Sequence, residues 1–318
     1  MKLKKPKFWD LKKPNLLSYL LLPFTIPIIL SNILINFLTK TKTKSQKIKS
    51  ICIGNIYIGG TGKTPTTIKL YEILNDLGFK VCVGKKFYDS QKDEQILIQK
   101  RTKLFLDRDR KKIIDEAIND NNEMIIFDDG LQEKKIDYNL KFVCFDKENW
   151  IGNGFLIPSG PLRENLNSLK KYDAIFFKQI DEKKIDNEII DKIKEINPQI
   201  KIFYSKYILK NIEDFNLKKK YFIFSGIGDS NSFKKLLLKY NFDITDEIHY
   251  PDHFNYQQND LDTIVKKAKI NQAEIITTEK DFIKISNLNH YNISSVKLDL
   301  KISDEKNLLN FIKSKLYA

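Results

Sequence analysis

Short apolar runs recur along the chain, separated by longer stretches in which apolar residues return at helical spacing. Runs near 49–53, 81–83, 124–127, 142–145, 174–178 and 201–205 read as strands, and the stretch carrying Ile68, Tyr71, Leu74 and Leu77 reads as an amphipathic helix ended by Gly78. Strands alternating with helices in this way predict an α/β fold with a mainly parallel sheet and helices on both faces. A polar stretch at 210–220 (KNIEDFNLKKK) precedes a second strand and helix series that starts at Tyr221. The predicted organisation is an N-terminal segment at 1–45, an α/β domain at 46–215 and a smaller C-terminal α/β domain at 216–318.

The N-terminal segment breaks this pattern. From Pro14 to Thr39 no residue is charged, and Leu, Ile and Phe dominate between two basic clusters. The run has about the length that spans a bilayer core, roughly 20 residues, but Pro23, Pro27, Ser31, Asn32 and Asn36 interrupt it, and the two prolines predict kinks. No small-residue cleavage motif follows; the basic run KTKTKSQKIK does. The segment is expected to be retained as an anchor in or across a membrane face, its lysines meeting anionic headgroups. The alternative is a helix hairpin packed on the domain.

Charge narrows the partners less. The 55 Lys and Arg against 41 Asp and Glu give +14, a balance that suits a nucleic acid, an anionic membrane or a phosphorylated substrate. The basic residues are scattered and no aromatic platform interleaves with them, so no nucleic-acid partner is expected. Cys52, Cys82 and Cys144 each lie in an apolar run, and no metal-ligand spacing joins them to His249, His253 or His290. Buried thiols in a reducing compartment are expected, not a zinc site.

The chemistry begins after the first strand. GNIYIGGTGKT leads from an apolar strand straight into a helix, the order that a phosphate-binding loop requires. Gly59, Gly60 and Gly62 allow backbone amides to turn toward phosphate oxygens, Lys63 reaches the β and γ phosphates, and Thr64 offers its hydroxyl to magnesium. The predicted nucleotide contacts are Tyr57, Ile58, Gly59, Gly60, Thr61, Gly62, Lys63 and Thr64. Tyr57 stands where the usual pattern begins with glycine. The fold class is thereby narrowed to a P-loop NTPase-like sheet, with ATP and Mg2+ as the expected cofactors.

A second apolar strand, 123–127, ends in Asp128-Asp129-Gly130, as a strand carrying a metal carboxylate does. Asp128 is the first choice for magnesium and Asp129 the second. Transfer to an alcohol also needs a carboxylate near the γ-phosphate to accept the hydroxyl proton. Asp93 and Glu94, on the loop after the second strand, are candidates, though acids also favour the first turn of a helix.

Taken in order, these segments resemble the tetraacyldisaccharide 4'-kinase family, which phosphorylates a lipid A precursor. Gly54-Asn55 with GGTGKTP, Asp93-Glu94, DDGLQ at 128–132, GNGFLIPSGPLRE at 152–164, FSGIGD at 224–229, YPDHFNY at 250–256 and TTEKD at 277–281 are all similar to segments of that family. The resemblance implies transfer of the ATP γ-phosphate to the 4'-hydroxyl of a lipid-linked disaccharide 1-phosphate, at the cytoplasmic face of a bacterial inner membrane; no protein partner is expected. It implies Asp93 as the base with His253 as its helper, Lys63 as a catalytic cation, and Asn55, Glu94, Gln132 and Arg163 as candidate substrate contacts. The chain departs from the family's pattern at Lys85-Lys86-Phe87-Tyr88, where SRGYG is usual, at Lys92 before the Asp-Glu pair, and at Glu133, where His is usual. A membrane-bound P-loop switch or partitioning ATPase is the competing reading.

Two further segments read as structure. Ser225 to Gly228 is expected to be a tight strand-to-helix turn, and Thr277 to Lys280 a helix cap with no catalytic duty.

Overall fold

The computed structural model describes residues 5–38, 47–179, 185–289 and 292–317. In chain order the elements are α1 (Leu16–Leu21), α2 (Ile26–Leu38), β1 (Lys49–Gly54), α3 (Lys63–Asp76), β2 (Val81–Lys86), α4 (Lys92–Gln99), β3 (Leu104–Asp107), α5 (Arg110–Asn119), β4 (Met124–Asp128), β5 (Leu140–Asp146), β6 (Ala174–Gln179), α6 (Asn187–Ile196) and β7 (Lys201–Leu209). They continue as β8 (Lys220–Ser225), α7 (Ser230–Lys239), β9 (Asp243–His249), α8 (Gln258–Ile270), β10 (Glu274–Thr278), α9 (Glu279–Ile285), β11 (Ile293–Val296), β12 (Leu298–Ile302) and α10 (Glu305–Leu316). His290 and residues 180–184 lie outside the described residues.

The elements fall into two units. The larger comprises Lys5–Phe87, Thr102–Lys206 and Ile302–Ala318, and the smaller Tyr88–Arg101 with Tyr207–Lys301. They differ from the contiguous division at 46–215 and 216–318 at residues 88–101, at 207–215 and at the C-terminal helix. Leu308, Phe311 and Ile312 of α10 complete a core with Ile51, Phe142, Phe176 and Phe203, so the C-terminal helix belongs to the larger unit. Residues 88–101, which include α4, group with the later part of the chain.

In the larger unit the strands run β7-β6-β5-β1-β4-β2-β3, every neighbouring pair parallel. Side chains alternate across β5: Phe142 and Cys144 join the core under α3 and α10, whereas Val143 and Phe145 face Leu169, Ile175 and Phe177 on the other side. Burial on both faces is why these strands read as unbroken apolar runs. Cys52, Cys82 and Cys144 are buried free thiols, as their apolar settings predict, and burial pushes the Cys82 thiol up to about 12. β1 lies between β5 and β4, with β2 beyond β4, so the carboxyl ends of β1, β4 and β2 lie side by side, where parallel sheets bind ligands. The smaller unit has a four-stranded sheet, β11-β10-β8-β9, also parallel throughout. Gly226, in the turn between β8 and α7, donates its N–H to Asp281 at 2.9 Å, a tight strand-to-helix turn as expected.

The N-terminal apolar run is two helices, not one. Asn15 caps α1 by accepting the Ser18 N–H at 3.0 Å, and α1 gives way at Leu22–Thr25 to a 3-10 turn containing Pro23. Pro27 falls in the first turn of α2, where a missing N–H costs nothing. No helix of the described residues is long and apolar enough to cross a membrane. Polarity here is inverted: Ser18 and Thr25 are buried while Leu16, Leu20, Phe24 and Leu30 are exposed. Asn153 holds Ser18 from within, its Nδ2 donating to Ser18 Oγ at 2.9 Å. Trp9 is tied to the same segment, donating its indole N–H to Pro158 O at 3.0 Å.

Candidate functional site

The larger unit builds a glycine-rich turn between the end of β1 and α3. Gly59 (φ +125°) and Gly62 (φ +84°) occupy backbone regions that side chains disfavour, and Gly62 is the N-cap of α3. The cap turns the first amides of α3 outward, and the helix dipole adds a partial positive charge there. The loop is braced from below: Asn55 Nδ2 donates to Thr61 Oγ1 at 3.0 Å, and Lys178 Nζ donates to Gly60 O at 3.1 Å. Lys178 is buried against Asp146 at 2.6 Å. Tyr57 and Ile58 are committed elsewhere. The Tyr57 hydroxyl donates to Asp10 and accepts from Lys5 Nζ, and the Ile58 N–H donates to Pro161 O at 2.9 Å.

The two acids ending β4 hold different partners. Asp128 is fully buried; Lys85 Nζ lies 2.6 Å from its Oδ2, Thr64 Oγ1 donates to the same oxygen at 3.1 Å and Thr67 Oγ1 to Oδ1 at 3.3 Å. Asp129 has a left-handed backbone (φ +56°) that turns its carboxylate toward basic groups, 3.8 Å from Lys63 Nζ and 3.2 Å from Arg163 Nη1. Burial raises the Asp129 pKa, but the charges of Lys63, Arg163 and Lys85 outweigh it and hold the carboxyl below its usual range. Arg163 also donates to Gln132 Oε1 at 3.0 Å, and Gln132 Nε2 donates to Asn55 O at 3.0 Å. The unit therefore assembles two adjacent groups, Thr64, Thr67 and Lys85 around Asp128 and Lys63, Arg163, Gln132 and Asn55 around Asp129. Glu133, the departure from the family's His, pairs with Arg110 at 3.5 Å.

Among the described residues no three or more His, Cys, Asp or Glu converge as a metal cage. Thr64 and Asp128 do offer a hydroxyl and a carboxylate side by side. Such hard oxygen donors suit Mg2+, which keeps several waters and takes most of its remaining ligands from a nucleotide.

Asp93 and His253 meet in the smaller unit. Asp93 is buried in the first turn of α4, and His253, at φ +55° in the Pro-Asp-His turn, places Nδ1 3.0 Å from Asp93 Oδ1 and 3.1 Å from Oδ2. The His253 Nε2 lies 3.6 Å from Glu94. Two lysines one turn apart on α9 complete the cluster. Lys284 Nζ lies 3.4 Å from Asp93 and 2.8 Å from Asp281, and Lys280 Nζ donates to Glu94 at 3.0 Å and to Asp252 at 2.9 Å. Burial alone would raise the Asp93 pKa; the His253 hydrogen bond and the charges of Lys280, His253 and Lys284 outweigh it and leave the carboxyl below its ordinary range. Burial likewise works against the Lys280 ammonium, but Glu94, Asp252 and Asp93 raise its pKa above the usual lysine value.

Residues 17–317 match the family described as tetraacyldisaccharide-1-P 4'-kinase. The chain belongs to that family. A tetraacyldisaccharide 4'-kinase of Pelagibacter ubique is 49% identical over 314 residues, covering 98% of this chain and 97% of its own. The enzyme of the same name from Rickettsia canadensis is 34% identical, covering 98% and 96%. Among solved structures, LpxK from Aquifex aeolicus in complex with ATP superposes with a TM-score of 0.69 at 23% identity, over 95% of this chain and all of that one. That likeness shows the shared fold. Family membership sets aside the switch or partitioning ATPase.

Several residues in or beside these clusters are not among the predicted contacts. Lys280, read as part of a structural cap, holds Glu94 and Asp252, and Lys284 reaches Asp93. Their spacing of four on one short helix, which puts both on one face, was the available signal. Lys85 and Lys178 each end an apolar run, where a buried cation demands a buried anion. Arg110 carried no signal: its guanidinium reaches Asp129 O at 2.5 Å from α5.

Proposed function

We propose that this chain transfers the γ-phosphate of ATP to the 4'-hydroxyl of a tetraacyldisaccharide 1-phosphate. The observation that carries this reading is the set of contacts that Thr64 and Lys63 make with Asp128 and Asp129, respectively, at the mouth of a glycine loop, in a chain of this family. The amides that open α3 bind the β and γ phosphates, and Lys63 sets its ammonium against the charge that develops on the transferred group. Thr64 and Asp128 hold Mg2+, which neutralises phosphate oxygens when bound. Asp93 takes the proton of the attacking hydroxyl, with His253 orienting the carboxylate. Arg163, Asn55, Gln132 and Glu94 are the proposed substrate contacts, Arg163 carrying the planar donor fork that suits phosphate oxygens.

The exposed apolar side chains of α1 and α2, next to Lys5, Lys7, Lys12 and Lys13, support a seat in one leaflet of a membrane, where an acylated acceptor resides. The proposed location is the cytoplasmic face of the inner membrane. The test is transfer of labelled γ-phosphate from ATP to a tetraacyldisaccharide 1-phosphate in mixed micelles, with wild type beside Asp93→Ala. Label in the lipid with wild type and its loss in the variant support the reading; no label from wild type that binds ATP overturns it.

A further inference from the structure

Lys85 is placed on Asp128 by the sheet itself. The two residues are register partners at the carboxyl ends of the parallel strands β2 and β4. The Lys85 Nζ sits 2.6 Å from Asp128 Oδ2, with 3% of Lys85 and none of Asp128 exposed. The remaining capacity of the carboxylate is also in use, since Thr64 Oγ1 reaches Oδ2 at 3.1 Å and Thr67 Oγ1 reaches Oδ1 at 3.3 Å. A carboxylate accepts at about four lone-pair positions, so this one has little left to offer a cation directly. Lys85 is also one of the positions at which the chain departs from the SRGYG segment of the family it resembles.

We infer that Lys85 is a resident cation of the divalent-metal site, making metal binding conditional on nucleotide. Without nucleotide, the ammonium satisfies Asp128 and a divalent ion gains too little to displace it. With nucleotide, phosphate oxygens would supply most of the ligands, and Asp128 would need to contribute less to holding the ion. The same ammonium keeps a fully buried carboxylate paired while the site holds no metal, where an unpaired one is strongly destabilising. Lys85 is thus a positioning residue that sets the order of binding, with no contact to the acceptor required.

This inference rests on the assignment of Asp128 to the metal, and the experiment separates the two. Binding of Mn2+ to the full chain is measured by electron paramagnetic resonance, with and without a non-hydrolysable ATP analogue, for wild type, Lys85→Met and Asp128→Asn. The expected result is negligible Mn2+ binding by nucleotide-free wild type, and a gain of at least about tenfold in nucleotide-free affinity in Lys85→Met, the scale on which neighbours of metal ligands act. Nucleotide-free affinity equal to or below wild type in Lys85→Met, with Asp128→Asn losing Mn2+ in the ternary complex, overturns the role of Lys85 alone. Unchanged ternary binding in Asp128→Asn overturns the metal assignment and this inference with it. Should Lys85→Met not fold, Lys85→Gln, which keeps a donor for Asp128 without the charge, is read by the same criteria.

Discussion

His253 Nδ1 lies 3.0 Å from Asp93 Oδ1 although 160 residues separate the two in the chain. With its proton on Nδ1 the imidazole donates to the carboxylate, and its left-handed backbone fixes the approach. Lys280 and Lys284 close the other sides of the same carboxylate at 3.7 Å and 3.4 Å. Asp93 is thus held by three basic side chains on two different elements.

If Asp93 is the proton acceptor, Asp93→Ala lowers kcat by about 10²–10⁴, the range of general base catalysis, with ATP affinity retained. His253→Ala should fall in the same direction by less, because the carboxylate remains. Steady-state kinetics beside nucleotide binding by calorimetry distinguish these from a general loss of structure.

The pH dependence follows from the signs. Asp93 has its folded pKa below the ordinary value, so its contribution to stability is present above the unfolded pKa and is lost as pH falls through the folded one. As a base it stays ionised throughout neutral pH, which places the acid limb of kcat/KM below the usual carboxylate range. Lys284→Met removes one of the charges that lower it and should move that limb upward, whereas Lys284→Arg should leave it in place. Lys280 has a raised pKa, so its contribution is complete below the unfolded lysine value and is lost only as pH rises through the higher folded one.

Lys63→Ala should cost about 10²–10³ in kcat, the scale for removing one preorganised donor to developing charge. It also frees Asp129 from a charge 3.8 Å away. Single-turnover transfer with saturating ATP measures the effect on the chemical step.

Gly152→Ala tests how the N-terminal segment is seated. Gly152 has φ +56°, and a Cβ there would lie 2.1 Å from Trp9 O. The substitution should cost on the order of 1–3 kcal/mol from the backbone conformation alone, more with the clash, as read by denaturant unfolding.

Leu16, Leu20 and Phe24 are 75%, 61% and 64% exposed. Burying such a side chain is worth about 1.5–3 kcal/mol, so replacing all three by Ser should lower partition onto anionic vesicles at least tenfold, about 1.4 kcal/mol per decade. Unchanged sedimentation with vesicles would remove the proposed membrane seat.

The sequence by itself determined the parallel α/β class, the glycine loop before α3, the pair of acids at the end of β4 and the uncharged apolar run near the N-terminus. Each of these is a local pattern: strands buried on both faces need unbroken apolar runs, a phosphate loop needs glycines before a helix, and an apolar run free of charge needs no partner to be noticed. Only the tertiary structure decided that α10 completes the core beneath Phe142 and Phe176, that Lys85 sits on Asp128, and that Lys280 and Lys284 surround Asp93. Those pairings join strands and helices far apart in the chain. A lysine in the sequence is on most surfaces merely solvated; burial beside a carboxylate is what gives Lys85, Lys280 and Lys284 a role, and burial is a property of the folded chain.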